Sequence, residues 1–220
     1  MTTPVDVLKI ASRQIGYKES PAGSNSNKFG VWYGCNFQPW CAMFVSYCFF
    51  LAGLPLPATT NKGFAYCPYG VNWFKQRGRF DKQPRVGSVV FFDWRGDGVA
   101  DHVGIVEAIN RDGSLTTIEG NTSSNNNSNG GEVQRRVRLL GSILGFGHPS
   151  YNGVSFNSTE KIPPYPSWPG KMIRLCSPPA RNTNILKWQQ QMRFRGWDIP
   201  ESGSFDEQSH EVLIQFQREK

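Results

Sequence analysis

Two textures divide the first 150 residues of the chain. Up to about residue 78 the apolar positions recur at helical spacing, and from Pro84 onward they cluster and alternate as strands do. Val7, Leu8, Ile10, Ala11 and Ile15 predict a first helix, entered at Thr3 as the cap and Pro4 as the first helical residue, with Gly16 as its stop. A second helix is predicted from the stretch Gln38-Pro39-Trp40-Cys41, with Pro39 at the first helical position. Cys41, Phe44, Val45, Cys48, Phe49 and Ala52 form its apolar stripe, and Gly53 and Pro55 end it. Val71 to Gly78, bearing Trp73 and Phe74, predicts a short third helix. Between the first two, Tyr17 to Phe37 reads as a loop rich in Ser, Asn and Gly, whose Phe29, Trp32 and Tyr33 either line a cleft or pin the loop to the core.

The strand-like runs are Val86–Trp94, His102–Ile109, Ser114–Glu119, Glu132–Leu140 and Ser142–Phe146. Helices first and strands afterwards predict an α+β fold in which N-terminal helices pack on an antiparallel sheet. If Asn110 to Gly113 is a four-residue turn, Ile109 pairs with Ser114, Gly104 with Glu119 and His102 with Asn121. Paired residues share a face, so His102, Glu119 and Asn121 point the same way, and Gly104 leaves room beside Glu119. Asn121 to Gly131 is a low-complexity surface loop.

A boundary falls near residue 150. Residues 151–167 read as a Pro-rich linker, and residues 168–220 as a small helical module, with Ile185, Trp188 and Met192 on one helix stopped by Gly196 and Val212, Leu213 and Phe216 on another. The sequence stops inside that last pattern, so the module reads as C-terminally incomplete.

Composition narrows the function classes. The formal charge of +7 divides into +5 on residues 1–150 and +2 on the rest, and no basic run exceeds Arg135-Arg136. Nothing here calls for nucleic acid, whereas an anionic surface such as a bacterial wall suits it. Five cysteines without a CxxC pair give no disulfide framework. The N-terminus lacks an apolar signal-type region and no eighteen-residue apolar run occurs, so a monomer that does not insert into membranes and carries no secretion signal of its own is expected.

The candidate chemistry starts at Cys41. A helix N-terminus presents unpaired N–H groups and a partial positive charge, both of which favour a thiolate. A cysteine in an apolar helix is more often a small core residue, the reading given to Cys48. What singles out Cys41 is the company of His102 as a base and Glu119 as the group that orients it. Asn121 either replaces Glu119 in that role or donates its amide to an oxyanion, for which the backbone N–H of Cys41 is a further donor. Trp40 and Gln38, flanking Cys41, are candidates for substrate contact. His148 and His210 lie outside any comparable pairing. Isolated histidines and the lack of an HExxH motif predict no metal and no cofactor. Calcium is conceivable at Asp93, Asp97 and Asp101, but the loop lacks the terminal glutamate of a calcium loop.

Residues 1 to about 150 resemble a CHAP domain, the cysteine, histidine-dependent amidohydrolase/peptidase family of the papain-like and NlpC/P60-like superfamily. The likeness rests on residues 11–19 (ASRQIGYKE), 39–46 (PWCAMFVS), 86–92 (VGSVVFF), 101–106 (DHVGIV) and 118–121 (IEGN). It implies Cys41 as nucleophile, His102 as base and Glu119 as its orienter, with Asn121 assisting. Residues from about Trp168 resemble, more loosely, the start of a peptidoglycan-binding type 1 module, on residues 169–175 (PGKMIRL), 188–192 (WQQQM), Gly196-Trp197 and Phe216-Gln217. Together these imply a phage-type endolysin, made in the host cytoplasm and released to the wall, that cuts an amide bond of peptidoglycan. N-acetylmuramoyl-L-alanine amidase activity is preferred over stem or cross-bridge endopeptidase activity. A non-catalytic wall-binding protein and a general cysteine protease are the alternatives.

Overall fold

The computed structural model describes residues 2–151, 179–194 and 199–218, without the side chains of 194 and 215–218. The chain divides into two units, Met1–Ser155 and Phe156–Lys220. Most of the expected linker, residues 169–175, Gly196 and Trp197 lie outside the described residues, as does the side chain of Phe216.

The first unit is α+β. Helices α1 (Pro4–Ser12), α2 (Lys28–Tyr33), α3 (Cys41–Leu51) and α4 (Cys67–Gln76) precede strands β1 (Phe80–Asp81), β2 (Val89–Phe92), β3 (His102–Ile109), β4 (Leu115–Thr122), β5 (Glu132–Arg138) and β6 (Ile143–Gly147). The strands form one antiparallel sheet in the order β1-β6-β2-β3-β4-β5. Helix α3 packs on β3 and β4 and is flanked by α1 and α2, while α4 lies on β6 and β1.

Helix α1 begins as expected: Thr3 caps it in a reciprocal box with Asp6, and Pro4 opens the first turn. Its helical hydrogen bonding ends at Ser12, before Gly16, which turns the chain at a φ of +87°. Helix α3 corrects the expectation at both its start and its surface. Trp40 is its N-cap residue and Cys41 its first helical residue, so Pro39 stands before the cap. Instead of one stripe, Cys41 to Ser46, Cys48 and Phe49 are all buried. The helix is apolar nearly all round because helices and sheet enclose it.

The supposed loop from Tyr17 to Phe37 contains α2. Asn27 caps it by accepting from the Gly30 N–H, and Gly34 ends it in the left-handed region at a φ of +97°. Its aromatic residues take the pinning role: Phe29 is buried, stacks on Trp40 at 5.3 Å and meets Phe44 and Tyr47 edge-on. Helix α4 starts earlier than expected, because Pro68 suits its first turn.

The hairpin of β3 and β4 carries the register that matters. Near the turn Ile109 pairs with Leu115, one residue away from the expected Ser114. A bulge between Val106 and Ala108 absorbs the difference, so that Ile105 pairs with Ile118 as expected for the far end. The extra residue, Glu107, is buried and held by Arg135 of β5 through two bonds of 2.6 and 2.8 Å.

His148 is also paired, contrary to expectation. Its Nδ1 lies 2.8 Å from the Ser88 hydroxyl and its Nε2 2.8 Å from Asp81, which ties β1, β2 and the end of β6 together. Burial holds its pKa below the usual histidine value, so the neutral ring serves as a strand tie. Tyr151, assigned to the linker by sequence, is buried and donates to the Gly87 carbonyl at 2.7 Å, anchored in this unit.

In the second unit, α5 (Thr183–Phe194) and α6 (Glu207–Arg218) are joined by packing of Met192, Ile199 and Val212 against Trp188. Buried Gln189 donates to the Ser204 carbonyl and the Ser209 hydroxyl and accepts from the Gly203 N–H. Among the described residues no helix is long and apolar enough to cross a membrane.

Candidate active site

Cys41 is 4% exposed and opens α3, where no side chain caps the helix. The free N–H groups of that first turn are therefore available to a negative charge, and the Ala42 N–H contributes to holding the sulfur as a thiolate. The side chain beside it is Cys67, first residue of α4, whose sulfur lies 3.7 Å from that of Cys41. A hydrogen bond from Cys67 outweighs burial, and together with attraction to His102 brings the Cys41 thiol well below its ordinary pKa; the Cys67 thiol is pushed well above.

His102 is the first residue of β3 and is fully buried. Its Nε2 is 3.0 Å from Glu119 Oε2 on the neighbouring strand. Its Nδ1 is buried with no partner at bonding distance among the described residues. Cys41 nonetheless raises the proton affinity of the ring, and with Nε2 turned to Glu119, Nδ1 is the nitrogen left to exchange a proton with the thiol. Burial alone would lower the His102 pKa, but the Cys41 thiolate and Glu119 overcome it and raise it to about 9.

Gly104 makes space for the carboxylate. A Cβ there would stand 2.6 Å from Glu119 Cγ, so any side chain at 104 would displace the group that holds the imidazole. Glu119 has further partners that the sequence reading missed. Arg138 of β5 grips it with Nε and Nη2, the former at 2.8 Å, and the Thr117 hydroxyl donates to it at 2.6 Å. Burial would raise the Glu119 pKa, yet the bonds from Arg138 and His102 bring it down to about 2. The guanidinium of Arg138 also lies over Trp94, at 5.2 Å, and over Phe92, at 5.5 Å, and both rings adjoin His102. Arg138 reads as an exposed charge in an alternating strand; only its position two residues along from a partner facing the Glu119 side hints otherwise.

Asn121 does not join this line. It adopts a φ of +58°, which breaks the regular two-residue alternation of the strand. Its amide donates to Asn129 and its carbonyl accepts from the Gly131 N–H, closing the 121–131 loop. The same loop sends Asn127 to Arg138 at 2.8 Å. Trp40 is corrected too: it is wholly buried and donates to Glu19 at 2.9 Å, so it cannot touch a substrate. Gln38 is exposed just before α3. The acids of the Asp93–Asp101 loop bond to the backbone and to Arg95 within the loop. Asp93 accepts from the N–H groups of Gly96, Asp97 and Gly98, and Asp101 accepts from that of Trp94 and pairs with Arg95. These carboxylates fold the loop before His102 rather than converge on a cation, and no cluster of three metal-ligating side chains occurs among the described residues.

The arrangement is a thiol polarised by a helix end, an imidazole ready to exchange its proton, and a buried carboxylate that fixes the ring. It is suited to nucleophilic attack on a carbonyl. No curated protein matches the chain. A solved structure described as the crystal structure of Ly7917 is similar, with 15% identity and a TM-score of 0.42, covering 67% of this chain and 62% of that one. Residues 32–121, which run from the end of α2 through the hairpin and hold Cys41, His102 and Glu119 together, match the CHAP domain family, a family of cysteine, histidine-dependent amidohydrolases and peptidases.

Proposed function

We propose that this protein is a peptidoglycan hydrolase of the endolysin type, with Cys41 as nucleophile, His102 as acid and base, and Glu119 as orienter. The observation that carries the reading is the buried alignment of His102 with Glu119 beside a cysteine that opens a helix. The Cys41 thiolate attacks the amide carbonyl carbon, and the Cys41 backbone N–H stands where it can donate to the oxyanion. With the Asn121 amide engaged by Asn129, that backbone donor is favoured over Asn121. His102 gives its proton to the leaving nitrogen as the C–N bond breaks. Water then attacks the thioester, His102 takes a proton from it, and the carboxylic acid leaves Cys41 as thiolate.

Residues 168–220 are assigned to wall binding, on the sequence resemblance, and the bond cut is assigned to the N-acetylmuramoyl-L-alanine linkage ahead of the stem peptide bonds. Mass spectrometry of fragments released from purified peptidoglycan tests both points. Stem peptides with a free N-terminal alanine are expected. Glycan still bearing cut peptides would make it an endopeptidase, and no fragments at all would leave a wall-binding protein. Cleavage of casein without clearing of walls would make it a general protease.

The pH profile is a second test. The working form is thiolate with imidazolium, and the proton on His102 is lost as pH rises through about 9. The rate constant kcat/KM should therefore fall across that region, while its acid limb should lie well below the ordinary thiol pKa of about 8.5. A rate that climbs only as pH passes that ordinary thiol value would show that Cys41 is not held as a thiolate.

A further inference from the structure

Two helices of the first unit each open with a cysteine, and the two openings meet. Cys41 begins α3 and Cys67 begins α4, the sulfurs are 3.7 Å apart, and both residues are almost completely enclosed, at 4% and 5% exposure. Neither helix has a side-chain cap at that end. No other described cysteine stands in this relation: Cys35 is exposed, and Cys48 is buried further along α3 with its thiol pushed up by burial. In the hydrolytic cycle derived above Cys67 only hydrogen-bonds the Cys41 sulfur and makes or breaks no covalent bond.

We propose that Cys41 and Cys67 form a reversible disulfide under peroxide, so that the same sulfur that performs hydrolysis is also an oxidation switch. The proposal rests on the reading of Cys41 as nucleophile. The chemistry proceeds in two steps. The Cys41 thiolate attacks one oxygen of the peroxide, the O–O bond breaks, and the departing oxygen leaves as hydroxide or alkoxide that takes up a proton, giving Cys41 sulfenic acid. The Cys67 sulfur then attacks the Cys41 sulfur and expels the hydroxyl, which leaves as water with the Cys67 proton. The two thiols together supply two electrons and the peroxide is reduced. Closure to a normal S–S bond of about 2.05 Å asks each sulfur to move by less than about 1 Å. The polarised state of Cys41 favours the first step over reaction at Cys67 or Cys48. Peroxide is small enough to enter beside the exposed residues that lead into each helix, Gln38 and Pro39 on one side and Tyr66 on the other.

The test treats the full chain with hydrogen peroxide and reads both chemistry and activity. In wild type, a non-reduced peptide map should link the Cys41 and Cys67 peptides with loss of two hydrogens. Wall hydrolysis should fall at least about tenfold and return with dithiothreitol. In Cys67→Ala, and in Cys67→Ser should the alanine variant fold poorly, the loss measured against each variant's own untreated rate should not be recovered, because Cys41 without a resolving thiol proceeds to sulfinic acid. Cys41 found as sulfinic acid with Cys67 free in wild type, or linked to Cys35 or Cys176, would overturn the proposal. A quantitative Cys41–Cys67 link with hydrolysis intact would instead keep the disulfide and remove Cys41 as the nucleophile.

Discussion

Cys41→Ala is expected to abolish release of wall fragments, by about 10³-fold or more, without unfolding the protein. The chemistry supplies the magnitude: without a nucleophile the thioester route is closed, and only the surrounding donors and bound geometry remain. Stability should change little. Alanine is a good residue for the first turn of α3, and the helix is fixed by Phe44, Val45, Cys48 and Phe49 beyond it. The volume lost is one sulfur atom, against which Cys67 can relax. The assay is fragment release beside a urea unfolding curve, in which the midpoint should stay close to wild type. Residual hydrolysis above this level would point to Cys67 as the acting sulfur, since its thiol lies 3.7 Å from that of Cys41. The double variant Cys41→Ala/Cys67→Ala would then decide it by removing both.

The second large effect belongs to Glu119, and here the structure changes what the substitution is expected to do. Glu119→Gln still permits one hydrogen bond to His102 Nε2, so its activity should stay above that of His102→Ala, which removes the proton carrier altogether. A loss of about 10²- to 10⁴-fold in kcat/KM is expected, because the imidazolium no longer faces a carboxylate. The larger consequence is for the fold. Arg138 is 8% exposed and holds Glu119 with two of its nitrogens, so the amide would leave a buried guanidinium without its counter-charge. Breaking such a pair from one side costs about 3–5 kcal/mol. Glu119→Gln with Arg138→Met should recover much of that stability without restoring the rate, because methionine fills part of the space and carries no charge. Unchanged urea midpoints in Glu119→Gln would mean that Asn127, Phe92 and Trp94 suffice to hold the arginine.

Much of this architecture is legible in the sequence because strand and helix periodicities are strong where burial is deep. Strand β3 has its expected ends, and Cys41, His102 and Glu119 could each be singled out from local pattern. The misses share physical causes. Helix α2 has six residues and is capped by Asn27 in a stretch of Ser and Asn, so its cap looks like one more loop residue. Asn121 sits at a strand position but takes a left-handed backbone, which two-residue alternation cannot foresee. Trp40 beside a nucleophile suggests a substrate contact, yet its ring belongs to the Phe29 cluster beneath. Cys67 and Arg138 are invisible for another reason. Each matters only through a partner in another element, Cys41 in α3 and Glu119 in β4, and periodicity is silent about such pairs.

The bulge at Glu107 has a practical consequence for protein engineering. Because it takes up one residue between the Asn110–Gly113 tip and the His102 end, the tip and the reactive end of the hairpin are keyed independently. Arg135 clamps the bulge from the far strand, so a change of loop length beyond it does not propagate as a half-turn of the strand. The tip is thus the place to graft a foreign peptide, such as an affinity handle or a targeting sequence, while the imidazole keeps its phase.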